Sequence, residues 1–116
     1  MDTKGGPGHR PVVEVLYVQD CPHIPATLAL IQRVLAGLSI DAELRTTPVP
    51  DQAAADQARF AGSPTVRVDG HDVEPGSEPP SEIGVGCRLY RLEHRFAAQP
   101  AEAWVRAALL RAVGRS

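Results

Sequence analysis

A near-continuous apolar run at residues 12–18, VVEVLYV, constrains the fold more than any other segment of this chain. Glu14 is its one charged residue, and valine predominates among the rest. A strand that is apolar on both sides is typical of the interior of a parallel or mixed sheet covered by helices. We therefore predict that this strand is the central strand of an α/β domain.

The next two segments extend this strand into a β-α-β unit. Apolar residues recur at steps of three and four up to residue 38, which predicts an amphipathic helix that starts at Pro22 or Pro25. Proline is tolerated in the first turn of a helix, so Pro25 is compatible with either start. Residues 41–47, DAELRTT, alternate in the pattern of a half-buried strand.

The second half of the chain predicts a helix, a hairpin and a final helix. Asp51 is expected to cap a short helix through Phe60, with Gly62 at its C-terminal stop. Predicted strands at 65–68 and 71–73 flank Asp69-Gly70, a strong hairpin signal. Residues 74–86 are interpreted as a loop, 87–92 as a short edge strand or extended segment, and 100–113 as an amphipathic helix. The order β-α-β-α-β-β-α predicts a mixed four-stranded sheet with helices on both faces.

Length and charge narrow the class of protein. The 116 residues suffice for one domain, which we place at residues 12–116, after a flexible N-terminal tail at residues 1–11 that has no hydrophobic period. The 12 basic and 14 acidic residues form no long run, so no nucleic acid partner is expected. No apolar stretch approaches the ~20 residues that span a bilayer, and residues 1–11, MDTKGGPGHRP, lack the apolar core expected of a signal peptide. We therefore expect no membrane partner and a cytoplasmic location, where cysteines stay reduced.

One of the two cysteines, Cys21, stands where the first strand gives way to the first helix. The unpaired N–H groups and positive dipole end of a helix N-terminus favour a thiolate, which is the reactive form of the side chain. His23 adds positive charge nearby when it is protonated. We predict a reactive thiol, and the alternative is a small, half-buried apolar residue.

Three features of the sequence together resemble the thioredoxin fold. These are the order of elements, the position of Cys21, and the triplet Ser63-Pro64-Thr65 that opens the third strand. The stretches LYVQDCP, GSPTVRVDGHDVEP and CRLY are similar to small bacterial thioredoxin-like proteins, some of which carry alkylmercury-lyase-like labels. The resemblance implies a cis-proline beside the cysteine and a strip that contacts substrate. The implied substrate-binding residues are Pro22, His23, Ser63, Pro64 and Thr65.

The sequence departs from the usual Cys-x-x-Cys motif, because Ile24 stands where the second cysteine would be. In the implied topology the third strand starts, and the fourth ends, at the sheet edge that carries Cys21. Cys87 follows the fourth strand by about a dozen residues, a span that reaches the site easily at ~3.3 Å per residue. Cys87 is thus a candidate resolving thiol, and the alternative is that it is buried independently.

Two thiols support two chemistries. In the first, Cys21 is the attacking thiolate and Cys87 the resolving thiol of thiol–disulfide exchange, with a protein or small-molecule thiol or disulfide as partner and no cofactor. In the alternative, the same fold is a non-catalytic module that binds a partner or a soft metal such as mercury, copper or zinc through Cys21 and Cys87. Whether the protein is an enzyme stays open between the two. Organomercurial cleavage also needs a proton donor near the thiols, and the sequence ties no carboxylic acid to them, so this activity is not expected.

The remaining charged residues receive a plainer interpretation. Asp72, Glu74 and Glu78 are interpreted as carboxylates of an extended loop, because the nearby prolines argue against an acid pair. Arg88 and Arg91 flank Tyr90 and are either an anion site or part of a solvated edge.

Overall fold

The computed structural model describes residues 9–80 and 82–115. The strands are β1 (Val12–Tyr17), β2 (Glu43–Pro48), β3 (Thr65–Val68), β4 (His71–Asp72), β5 (Tyr90–Arg91) and β6 (Phe96–Ala97). The helices are α1 (Ile24–Leu38), α2 (Gln52–Ala58) and α3 (Glu102–Ala112). Within these residues no helix has the length and apolar character needed to cross a membrane.

The predicted flexible tail comprises residues 1–11. Of these, residues 1–8 lie outside the described part of the chain, whereas residues 9–11 are described. Its last part contacts the domain. The His9 Nε2 atom lies 2.7 Å from the Asp69 carboxylate, and the Pro11 carbonyl accepts the N–H of Glu43.

The main sheet has four strands in the order β2-β1-β3-β4. β1 pairs with β2 in parallel and with β3 antiparallel, and β3 and β4 form an antiparallel hairpin. The central position of β1 and the mixed four-stranded sheet confirm the prediction from the apolar run.

The two faces of the sheet are covered by different helices. Val13 and Val15 of β1 pack in a large cluster with apolar residues of α1 and α3, such as Ile31 and Leu109. Leu16 instead packs in a smaller cluster that contains residues of α2 and the segment after it. Because successive side chains of a strand point to opposite faces, α1 and α3 lie on one face and α2 on the other, as predicted.

The end of α2 differs from the prediction. Asp51 caps the helix as expected, by accepting the N–H of Ala54 at 2.9 Å. However, Arg59, and not Gly62, takes the left-handed conformation that ends the helix, with φ 54°. Gly62 is needed for another reason: its φ is 117°, and a Cβ atom there would lie 3.0 Å from the Cβ of Arg88. The glycine thus permits a close approach between two segments.

The segment after β4 contains a second hairpin that the sequence did not predict. β5 and β6 pair antiparallel in a separate two-stranded sheet, with His94 in the turn between them. Each strand has only two residues, too few for a recognisable alternation of apolar and polar side chains.

The turn between β3 and β4 confirms the hairpin signal, since Asp69 and Gly70 both have positive φ angles, of 50° and 86°. Replacing Gly70 with alanine is expected to lower the free energy of unfolding by about 1 kcal/mol, the cost of left-handed backbone for a residue with a Cβ atom. No atom lies within 4 Å of the position of the added methyl group, so the cost is conformational alone. Urea unfolding measures the change.

Gly37 provides a matched control. It lies inside α1, is not among the glycines with positive φ, and also has no atom within 4 Å of an added Cβ. Gly37→Ala should therefore stabilise the protein by up to about 1 kcal/mol. Shifts of the same sign in the two variants would contradict this explanation.

Candidate functional site

Ser63 connects the two segments that carry the cysteines. Its hydroxyl oxygen accepts the N–H of Val18 at 3.1 Å, three residues before Cys21 in the chain. Its own N–H and C=O form hydrogen bonds of 2.9 Å with the residues on either side of Cys87, which makes an isolated parallel β-bridge. The buried serine, just before β3, therefore joins the end of β1 to the Cys87 segment.

Cys21 is half-buried in a turn between β1 and α1. Its N–H donates to the Val18 carbonyl at 3.2 Å. α1 begins at Ile24, so Cys21 lies two residues before the N-cap residue, His23, and not in the first helical turn. No side chain caps α1 within the described chain, and its first turn contains no acidic residue.

The other two residues of the turn differ in exposure. Pro22 is exposed, whereas His23 is half-buried. The His23 carbonyl accepts two hydrogen bonds from Thr27, one from its N–H at 3.1 Å and one from its hydroxyl at 2.7 Å. In the part of the chain that the structure describes, no hydrogen bond joins Cys21, Pro22 or His23 directly to Cys87.

Pro64 and Thr65 are buried at the start of β3, and the Ser63–Pro64 peptide bond is cis. The Thr65 hydroxyl donates to the Gly62 carbonyl at 2.6 Å, and the Pro64 carbonyl accepts the hydroxyl of Tyr90 at 2.6 Å. These polar groups are thus engaged within the protein. The predicted substrate-binding role of the strip stays a prediction.

Cys87 is an exposed thiol, so the alternative of an independently buried residue is wrong. It lines a cavity of about 510 Å³ between its own segment and the loop that follows β4. Glu74, Glu82 and Leu89 also line this cavity, and Leu89 is 66% exposed. Neither Cys87 nor Cys21 is in a disulfide.

A buried cluster of charges lies directly beside Cys87. The Arg88 guanidinium forms two hydrogen bonds with Asp72, of 2.7 and 3.1 Å, and one of 2.8 Å with Glu74. It also donates to the Thr65 hydroxyl at 3.1 Å and lies 4.2 Å from the centre of the Tyr90 ring. The side chains of Arg88 and Asp72 are only 5% and 8% exposed. The alternative of a solvated edge is therefore wrong for Arg88, which is instead the buried ion-pair partner of Asp72 and Glu74.

The protonation states of the cluster follow from its environment. Burial acts to lower the pKa of the Arg88 guanidinium, but hydrogen bonds and charges, chiefly those of Asp72, outweigh it and leave the pKa above its ordinary value. Burial raises the pKa of the Tyr90 phenol, although the positive charge of Arg88 acts in the opposite direction. Arg88 is therefore a cation and Tyr90 a neutral donor at neutral pH.

The sequence contains a local signal for this cluster but not its pairing. Asp72 and Glu74 alternate with buried Val73, and Arg88 and Tyr90 are also two residues apart, as expected for side chains on one face of extended chain. The partners are separated by 16 and 14 residues, across a loop whose path the sequence does not specify.

Neither a metal-ligand cluster among the described residues nor a similar curated protein identifies the site. Among residues 9–80 and 82–115, no three histidine, cysteine, aspartate or glutamate side chains gather as metal ligands. The sequence matches no protein-family model, and no curated protein is significantly similar to it.

Proposed function

We propose that this protein is a thioredoxin-like thiol–disulfide exchange protein in which Cys21 and Cys87 are the two exchanging thiols. The proposal rests on the hydrogen bonds of Ser63. Its side chain bonds to Val18, near Cys21, and its backbone bonds to both neighbours of Cys87. Two free thiols on segments that are joined by one buried residue are suited to thiol–disulfide exchange with each other.

The thioredoxin-like topology is supported by three features of the fold. The elements follow the order β-α-β-α-β-β-α if the short β5–β6 hairpin is set apart as an addition. The first cysteine follows the central strand, and Ser63-Pro64-Thr65 opens the strand that lies antiparallel beside it.

The proposed reaction transfers two electrons from the protein to a partner disulfide. The Cys21 thiolate attacks one sulfur of the partner disulfide, the partner's S–S bond breaks, and its second sulfur leaves as a thiolate. The Cys87 thiolate then attacks the Cys21 sulfur, which releases the partner as a dithiol and leaves a Cys21–Cys87 disulfide. An external dithiol reductant restores both thiols. We assign the attacking role to Cys21 because it lies between β1 and α1, where the resemblance implies the nucleophilic cysteine.

Mild oxidation of the reduced protein tests the pairing. We expect mass spectrometry of a digest to show an intramolecular link between Cys21 and Cys87, and Cys21→Ser and Cys87→Ser variants to lose it. A product that contains only intermolecular dimers would overturn the proposal. Uptake of one mercuric ion per chain without reduction of any disulfide would instead support the metal-binding alternative.

A further inference from the structure

We propose that Arg88 is a positioning residue that fixes Cys87 at the site for exchange with Cys21. This inference rests on the proposed function, since it concerns the second of its two steps. Arg88 does not act on a reacting atom in this scheme. It determines where the neighbouring thiol stands.

The first support is the anchoring of the Arg88 side chain to the sheet. The guanidinium binds Asp72 at the end of β4, Glu74 in the following loop and Thr65 at the start of β3. Its five donors form a planar fork, and four of its hydrogen bonds end on these three side chains. A residue held from three directions leaves the adjacent backbone little freedom.

The second support is the main chain on either side of Cys87. The Arg88 N–H donates to the Ser63 carbonyl at 2.9 Å, so the anchored residue also forms half of the bridge to Ser63. Two residues beyond Arg88, the Tyr90 ring packs under the guanidinium while its hydroxyl donates to the Pro64 carbonyl at 2.6 Å. The segment is therefore fixed to Ser63 and Pro64 by both backbone and side chains.

The third support is the contrast between Cys87 and its neighbour. The Cys87 thiol is exposed, whereas Arg88 is buried. Reaction of Cys87 with a small reagent from solvent should thus need no help from Arg88. Closure onto Cys21 does depend on placement, because a displacement of about 1 Å can reduce the rate of a positioned reaction by about 100-fold.

The test compares closure of Cys87 onto Cys21 with reaction of Cys87 with a small reagent. Both are measured in Arg88→Lys, which keeps a positive charge but cannot form the planar fork. Equilibration of the full chain in glutathione redox buffer gives the effective concentration of Cys87 toward Cys21. We expect it to fall by about tenfold or more. In the Cys21→Ser background, the rate at which iodoacetamide alkylates Cys87 should stay within about twofold of the rate with Arg88 intact, because the thiol is already exposed.

Arg91→Lys is the matched control, because Arg91 lies in β5 and is exposed. If Arg88→Lys does not fold, as judged by circular dichroism, Glu74→Ala and Thr65→Val each remove one hydrogen-bond acceptor of Arg88 and should also lower the effective concentration. An unchanged effective concentration in the folded variants, with closure in the wild type, would overturn the positioning role alone. A wild-type protein that never forms the internal disulfide would instead overturn the proposed function.

Discussion

Replacing Arg88 with methionine is expected to lower the free energy of unfolding by about 3–5 kcal/mol, the range measured when one partner of a buried ion pair is removed. The loss arises because two carboxylates depend on this cation. Asp72 has a side chain 8% exposed and Glu74 one 20% exposed, and both would lose hydrogen bonds from Arg88. Urea unfolding followed by circular dichroism measures the effect.

A triple variant serves as the control for this prediction. Combining Arg88→Met with Asp72→Asn and Glu74→Gln removes all three charges, so no unpaired charge stays buried. We expect the triple variant to recover most of the lost stability. If Arg88→Met alone is as stable as the wild type, the carboxylates do not depend on the guanidinium and this account of the cluster is wrong.

Cys21→Ser is expected to reduce the rate of disulfide turnover by at least about 100-fold, because a serine hydroxyl can form no mixed disulfide. The measurement is the reduction of a small disulfide, such as hydroxyethyl disulfide, with a dithiol as the final reductant. The stability of the variant should change little, since serine is of similar size and Cys21 is only half-buried.

Cys87→Ser provides the comparison, because it should permit the first step and block the second. We expect a mixed disulfide between Cys21 and the substrate to accumulate, visible by mass spectrometry. The opposite pattern, with a mixed disulfide trapped on Cys87 in the Cys21→Ser variant, would assign the attacking role to Cys87. The greater exposure of Cys87 makes this outcome physically accessible.

Signals within short segments predicted most of the fold. The apolar run of β1, the period of α1 and the Asp69-Gly70 turn each specify a local structure, and all three occur as expected. The stop of α2 was missed because Arg59 adopts a conformation that usually favours glycine. The β5–β6 hairpin was missed because two-residue strands contain almost no pattern.

The site was predictable only in part, for a related reason. The junction of strand and helix placed Cys21, and the order of strands brought the segment of Cys87 toward the same edge. The contacts of Ser63 and the pairing of Arg88 with Asp72 depend on side chains that are far apart in sequence. Such pairings follow from the path of a loop, and loop paths have no periodicity from which to infer them.

The edges of the main sheet affect how two copies of the protein could meet. β4, at one edge, has only two residues, and the Cys87 segment pairs in parallel with Ser63, just before β3. β2, at the other edge, ends at Pro48 and carries the ion pair of Glu43 and Arg45. Short strands, charges and proline all discourage edge-to-edge association of sheets. A covalent dimer through the exposed thiol would therefore have to form by sulfur chemistry alone, without a shared sheet to align the two chains.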